Sequence, residues 1–205
     1  MNETIFRILA AVILFSGTGI SIYFRRKADR ETGETLSRSA DGNNMMTFIR
    51  IFGLILWLSP LVYLVNPDWM SWSNFNLPDW IRWLGVGIGI LCVGGIYWLF
   101  RSIGSGITPV SATRKEHRLS TSGPYRWVRH PLYTVGSSFY ISFGLVADNW
   151  FVIAMGILAF IAMAIRTPKE EANLIEKFGD EYRDHMKRTG RFFPRFYKII
   201  RRGTL

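Results

Sequence analysis

The sequence predicts an all-α integral membrane protein of about five transmembrane helices, followed by a polar C-terminal segment outside the bilayer. Three observations predict it. The 205 residues are 49% hydrophobic, and the apolar residues are bunched into runs of bilayer-crossing or near-crossing length. Net charge is +10, yet 23 of the 25 lysines and arginines fall in three segments, residues 25–50, 101–130 and 166–205. Five spans put those segments on one side, which the positive-inside rule makes the cytoplasm. The N-terminus is then outside and the C-terminus inside. Membrane orientation accounts for the excess charge without nucleic acid, and no nucleic-acid-binding motif is present. The length suits one domain over residues 1–205.

Ile5 to Tyr23 is an apolar run of 19 residues interrupted by Arg7. Its basic cluster follows rather than precedes it, and no A-x-A site is visible, so it reads as an uncleaved first span rather than a signal peptide. Arg25-Arg26-Lys27 are expected to stop it, and residues 28–47, polar and mixed in charge, read as a loop. Phe48 to Val65 is the second span, with Pro60 expected to kink it or end it early. Residues 66–80 carry Trp69, Trp72, Phe75 and Trp80 and no Lys or Arg, a composition suited to the membrane–water interface.

Ile81 to Phe100 is the third span. Gly85 and Gly89 lie four apart, which permits close helix approach in lipid; making room for a ligand is the alternative. The single cysteine, Cys92, sits in this run and reads as a small buried apolar residue. No Cys/His set has metal-ligand spacing. Leu132 to Ala147 and Trp150 to Ile165 are 16-residue runs parted by Asp148-Asn149, and a tight helical hairpin is the simplest reading, with spans at 131–147 and 150–165.

The chain turns polar at Arg166. Thr167-Pro168-Lys169-Glu170 has the pattern of a helix start, with Thr as cap, Pro first and Glu third. Leu174, Ile175, Phe178, Tyr182 and Met186 recur at helical spacing, Gly179 is placed to end one helix, and Asp180 to cap another. The tail from Arg191 to Arg202 interleaves cations with aromatic and aliphatic residues, as a segment lying on an anionic membrane surface does.

The candidate polar groups converge on the basic side: Gly104-Ser105-Gly106, His117, Tyr125, Arg129, His130, Tyr133, Arg166, Glu170 and Glu171. Pro131 suits the first position of a helix, which puts Arg129 and His130 at a helix N-terminus. Cations there oppose the helix dipole, and a bound anion would resolve the conflict; flank charges orienting a membrane helix are the plainer alternative. Arg166 and Glu170 share a helix face, where a simple salt bridge is the competing reading, as capping is for Glu170. Taken together they describe a polar pocket with an apolar floor.

The run Glu116-His117-Arg118-Leu119, Gly123-Pro124-Tyr125, Arg129-His130-Pro131-Leu132-Tyr133 closely resembles the central motif of the isoprenylcysteine carboxyl methyltransferase and phospholipid methyltransferase families. Arg166, Glu170-Glu171, Leu174, Phe178-Gly179, Tyr182, Arg191 and Pro194 follow the order of their second motif. The resemblance covers roughly residues 101–195; the first two spans contribute only hydropathy. It implies S-adenosylmethionine as methyl donor, a C-terminal cytosolic helical segment (167–205) closing the cofactor pocket, and a lipid-like or small hydrophobic acceptor. By the same resemblance His117 and Leu119 contact the adenosine, and Tyr125, His130 and Tyr133 line the cofactor pocket. Gly104, Gly106 and Glu171 join them, and Arg166 with Glu170 stands nearest the methyl transfer. Arg129 or His130 suits the cofactor carboxylate. Two other readings compete: an NADPH-dependent sterol-type reductase, which shares an Arg-His-x-x-Tyr segment, and a non-enzymatic protein of the same fold.

Overall fold

The computed structural model describes residues 2–32, 44–103 and 119–195. Helix α1 is Asn2–Thr32, α2 Asn44–Val65, α3 Asp79–Ile103, α4 Pro131–Val146, α5 Trp150–Phe178 and α6 Asp180–Arg188. Short 3₁₀ turns occupy Pro67–Ser73 and Gly123–Arg126. Among the described residues there is no strand, only two isolated bridges, Asn74 with Asn149 and Val128 with Gly190. Helices α1, α3 and α5 are long and apolar enough to cross a membrane. Helix α4 has 16 residues, a rise of about 24 Å, and the apolar part of α2 is Ile51–Val65.

Four sequence expectations change here. The first helix does not stop at Arg25-Arg26-Lys27 but continues to Thr32. Cations halt burial in lipid, not the helix; Arg, Lys and Glu are good helix formers, and Lys27 pairs with Glu31 at 3.8 Å one turn on. Pro60 does not end α2, which runs on to Val65. The third change matters most: Pro168 does not begin a helix but lies inside α5, which is continuous from Trp150 to Phe178. Its missing N–H removes one intrahelical bond, and the rest of the ladder carries the helix through. Thr167 consequently caps nothing, and its hydroxyl donates to Met163 O one turn back, at 2.9 Å. Gly179, at φ 55°, ends α5 as expected, while Asp180 is the first residue of α6 rather than its cap.

Helix α4 is the spine of the bundle, packing on α1, α3 and α5. Its core is Phe139, Phe143 and Val146 against Ala10, Ile13, Val86, Ile96 and Val152. Close approach is where the paired glycines act. A Cβ on Gly85 would sit 2.8 Å from Leu145 Cβ, and one on Gly89 2.8 Å from Ile13 Cδ1, so both serve packing. Cys92 is buried, as expected.

The end of the bundle away from α4's N-terminus is tied by polar contacts. Buried Arg82 donates to Val146 O (2.9 Å) and to Glu3 (2.8 Å), and its guanidinium lies 4.0 Å from the Phe6 ring centroid. Tyr63 donates to Glu3, and Arg7 donates to Leu64 O and Val65 O. The two cations outside the three basic segments thus cap the C-termini of α4 and α2, where the helix dipole favours positive charge. The α4–α5 turn lies at this end too. Asn149, fully buried, accepts from Val152 N and donates to Ser73 Oγ, while the Asp148 carboxylate accepts from the Asn76 and Leu77 N–H groups. The tryptophan-rich stretch is thereby fastened to the hairpin with Trp69, Trp72, Phe75 and Trp80 exposed.

Candidate functional site

Pro131 opens α4 with His130 as its N-cap residue, as the sequence predicts. The chain after α6 then folds back along this entry. Gly190 N donates to Trp127 O, Arg129 N to Gly190 O, and His130 N to Arg191 O, each at 2.9 Å. The Thr134 hydroxyl donates to Phe192 O at 2.9 Å. Residues 189–192 form a strap across the N-terminus of α4.

Under the strap lies a buried ion cluster. Arg129 Nε donates to Glu171 Oε1 at 2.8 Å, with both side chains about 5% exposed or less. Its Nη1 donates to Thr189 O (2.7 Å) and Met186 O (3.2 Å). Arg191 grips the other Glu171 oxygen. One carboxylate therefore joins α5, the entry of α4 and the strap. The Arg129 guanidinium at this helix N-terminus finds its counter-charge within the chain itself.

Glu170 faces elsewhere, because neighbours on a helix are about 100° apart. Its Oε2 accepts from the Tyr133 hydroxyl at 2.6 Å, and its Oε1 lies 3.9 Å from His130 Nδ1. The His130 and Tyr133 rings stack, centroids 5.4 Å apart and planes 9° apart. Among the described residues His130 Nε2 is buried without a hydrogen-bond partner, with Glu171 Oε1 3.5 Å away. The Tyr182 hydroxyl is a second buried group at the site with no hydrogen-bond partner among the described residues. Tyr125 stands close enough to Glu170 to feel it: burial first, then that carboxylate, pushes its phenol well above the usual range. Phe192 packs on both His130 and Phe160, linking the polar cluster to the apolar face of α5.

The structure thus brings together Tyr125, Arg129, His130, Tyr133, Glu170 and Glu171. Arg166 sits one turn before Glu170 on α5, half-buried, and among the described residues it forms no ion pair with it. Since α5 has no start at Thr167, the capping role for Glu170 also falls away. Leu119 is half-buried at the edge of the described chain, and Gly104, Gly106 and His117 lie outside the described residues. Sequence reasoning missed the strap and the Glu171–Arg191 contact. The signal was Thr189-Gly190-Arg191, a lone glycine inside a bulky basic tail.

Both site-proximal histidines are held below their ordinary value of 6.5. Burial does this to His130 against the opposing pull of Glu170 and Glu171, and to His185 with Arg129 and Arg188 adding to it. The unfolded chain takes up these protons first as pH falls, so it binds more of them than the folded chain, and stability falls with pH. The unfolding midpoint is expected to drop between about pH 7 and pH 5, and to drop less in His130→Gln. A midpoint that is level across that range would contradict the neutral, buried imidazole.

Known proteins share this architecture. Residues 80–181, from the start of α3 into α6, match the family described as phospholipid methyltransferase. Protein-S-isoprenylcysteine O-methyltransferase of Rattus norvegicus is 34% identical across 65% of this chain and 51% of its own. Nickel-cobalt-cadmium resistance protein NccN of Alcaligenes xylosoxydans xylosoxydans is 34% identical across 40% of this chain and 38% of its own. The solved structure of the eukaryotic intramembrane Ras methyltransferase ICMT superposes with a TM-score of 0.54, covering 91% of this chain and 68% of that one at 18% identity. The fold is that of an all-α integral membrane protein. The chain is similar to the isoprenylcysteine carboxyl methyltransferase and phospholipid methyltransferase families. It spans about half the length, or less, of these curated relatives.

Proposed function

We propose that the chain is a single-domain membrane methyltransferase that moves a methyl group from S-adenosylmethionine to an amphipathic or lipid-like acceptor bearing a carboxylate, amine or thiol. The observation that carries this reading is the cluster at the N-terminus of α4. There Glu170, Tyr133 and the His130 ring converge, with His130 Nε2 buried and unpaired among the described residues. A buried polar atom without a partner is costly unless a ligand or water meets it.

The residues suit the cofactor's chemistry. Its sulfonium and ammonium are cations, which the Glu170 carboxylate and the faces of His130, Tyr133 and Tyr125 would stabilise. Its carboxylate suits His130 at a helix N-terminus. Bound there, S-adenosylmethionine supplies a methyl carbon already activated for displacement by its sulfonium. The chain's own task is to hold the acceptor close, aligned and dry. Arg166, which forms no ion pair among the described residues, would orient an acceptor carboxylate; Glu170 would take the proton from an amine or thiol. Arg129 and Glu171 act through the frame, fixing His130 and the strap. Gly104, Gly106, His117 and Leu119 would complete the pocket from the loop before α4.

The charge pattern supports a cytoplasmic site and C-terminus and an outer N-terminus, with five crossings. Arg7 and Arg82, the two exceptions, are occupied at the opposite end as helix caps.

The test is calorimetric titration of the detergent-purified protein with S-adenosylmethionine, S-adenosylhomocysteine and NADPH. Saturable binding of both adenosyl compounds is expected, followed by label transfer from methyl-labelled donor in an acceptor screen. Binding of NADPH alone would move the assignment to a reductase. His130→Ala is expected to weaken adenosyl binding about tenfold or more, some 1.4 kcal/mol. Glu170→Gln is expected to depress turnover while leaving the unfolding midpoint within reach of wild type.

A further inference from the structure

The last turns of α1 continue beyond the apolar run and carry a second surface, far from the cluster at α4 in sequence and unused by it. One face of the helix, Gly19, Ile22, Tyr23, Arg26, Lys27, Arg30 and Glu31, lines a groove of about 570 Å3. Its spacing, i, i+3, i+4, i+7, is that of a single helical face. The lower part is apolar and open: Ile22 and Tyr23 are exposed, and a Cβ on Gly19 would meet nothing within 4 Å. The upper part is cationic. Lys27 is matched by Glu31 at 3.8 Å, whereas Arg26 and Arg30 are exposed and have no ion-pair partner among the described residues. Two like charges one turn apart repel on a bare helix, so the chain leaves a conflict that an anion between them removes. Arg25 is not part of this face; it bonds to Ser21 Oγ and lies over Phe100 on the side towards α3.

The vertical order matters. Gly19 lies about 10 Å along the axis from Arg26, towards the middle of the apolar run, with the Tyr23 ring between them. Cation pair, tyrosine at the interface, then a bare apolar channel is the order in which a phospholipid presents its phosphate, glycerol backbone and acyl chain. A soluble anion would use the arginines and leave the channel empty. We propose that this groove holds one anionic phospholipid, its phosphate between Arg26 and Arg30 and an acyl chain over Gly19.

The experiment is native mass spectrometry of the intact chain released from mixed micelles of phosphatidylglycerol and phosphatidylcholine. One phosphatidylglycerol adduct is expected to survive activation in preference to phosphatidylcholine. In Arg26→Gln/Arg30→Gln its retention is expected to fall by about tenfold or more. Gly19→Leu keeps every charge and replaces an exposed helical glycine with a better helix former. It is expected to lose the adduct while unfolding no earlier than wild type. Arg25→Gln is expected to keep it. The proposal is overturned if the double variant retains the lipid at the wild-type level, or if phosphatidylcholine is held equally well. Retention in Gly19→Leu, or displacement by millimolar inorganic phosphate, would reduce the groove to a surface anion site and overturn it as well.

Discussion

Glu171→Gln is expected to destabilise the folded protein by about 3–5 kcal/mol, the cost of leaving a buried charge without its partner. Arg129 sits 2.8 Å from Glu171 with both side chains nearly fully buried, so an amide in place of the carboxylate strands the guanidinium in a site water does not reach. Arg191 is half-exposed, and solvent takes over its charge, so most of the loss falls on Arg129. Arg129→Lys is not expected to mimic wild type. One ammonium cannot reach Glu171, Thr189 O and Met186 O with the fixed fork that a guanidinium offers. The measurement is the unfolding midpoint in detergent, with limited proteolysis of the C-terminal segment as a second readout. A Glu171→Gln protein as stable as wild type, with its C-terminus equally protected, would remove the ion cluster from any structural role. Glu170→Gln is the internal contrast, since Glu170 is the more exposed of the two and its tyrosine partner is neutral.

Gly190→Ala is expected to unfasten the strap. A Cβ there would collide with the Phe193 backbone carbonyl, a contact only a backbone shift can relieve. The same residue supplies both the N–H received by Trp127 O and the carbonyl that receives Arg129 N. Moving it sacrifices those two bonds and loosens His130 N to Arg191 O beside them, about 3 kcal/mol at roughly 1 kcal/mol each. Because Arg191 and Phe192 follow directly, the Glu171 contact and the aromatic packing on His130 go with it. Adenosyl binding is therefore expected to vanish in a protein whose helical circular dichroism is nearly unchanged. Normal binding by Gly190→Ala would mean that the strap is dispensable to the pocket.

The parts of this structure written in local chemistry were readable in the sequence. Pro131 announced the start of α4, Gly179 the end of α5, and Asp148-Asn149 the hairpin between them. The six residues that cluster at the α4 entry are all candidates from their place on the basic side of the chain, and the resemblance assigns them to one pocket. Two local signals misled for physical reasons. Arg25-Arg26-Lys27 mark where lipid burial ends, and a helix continues through them at no cost. Thr167-Pro168-Lys169-Glu170 spells a helix start, yet the ladder before it was already formed and one missing N–H did not break it. The strap was illegible because its bonds are backbone bonds between positions about 60 residues apart, which no side-chain pattern encodes. The ends of Arg7 and Arg82 were likewise hidden: both looked like stray charges, and only the folded bundle shows the helix carbonyls they meet.

That last contact has a consequence for how the protein is made. Glu3 and Arg82 are 79 positions apart, so the carboxylate on α1 finds its cation only once α3 has been made. Val146 O, the other group Arg82 holds, comes later still. Until then each is a charged or polar group exposed at a membrane boundary with its own preference for water. The full set of contacts can therefore be complete only once α4 is made, and it then ties α1, α3 and α4 together at one end of the bundle.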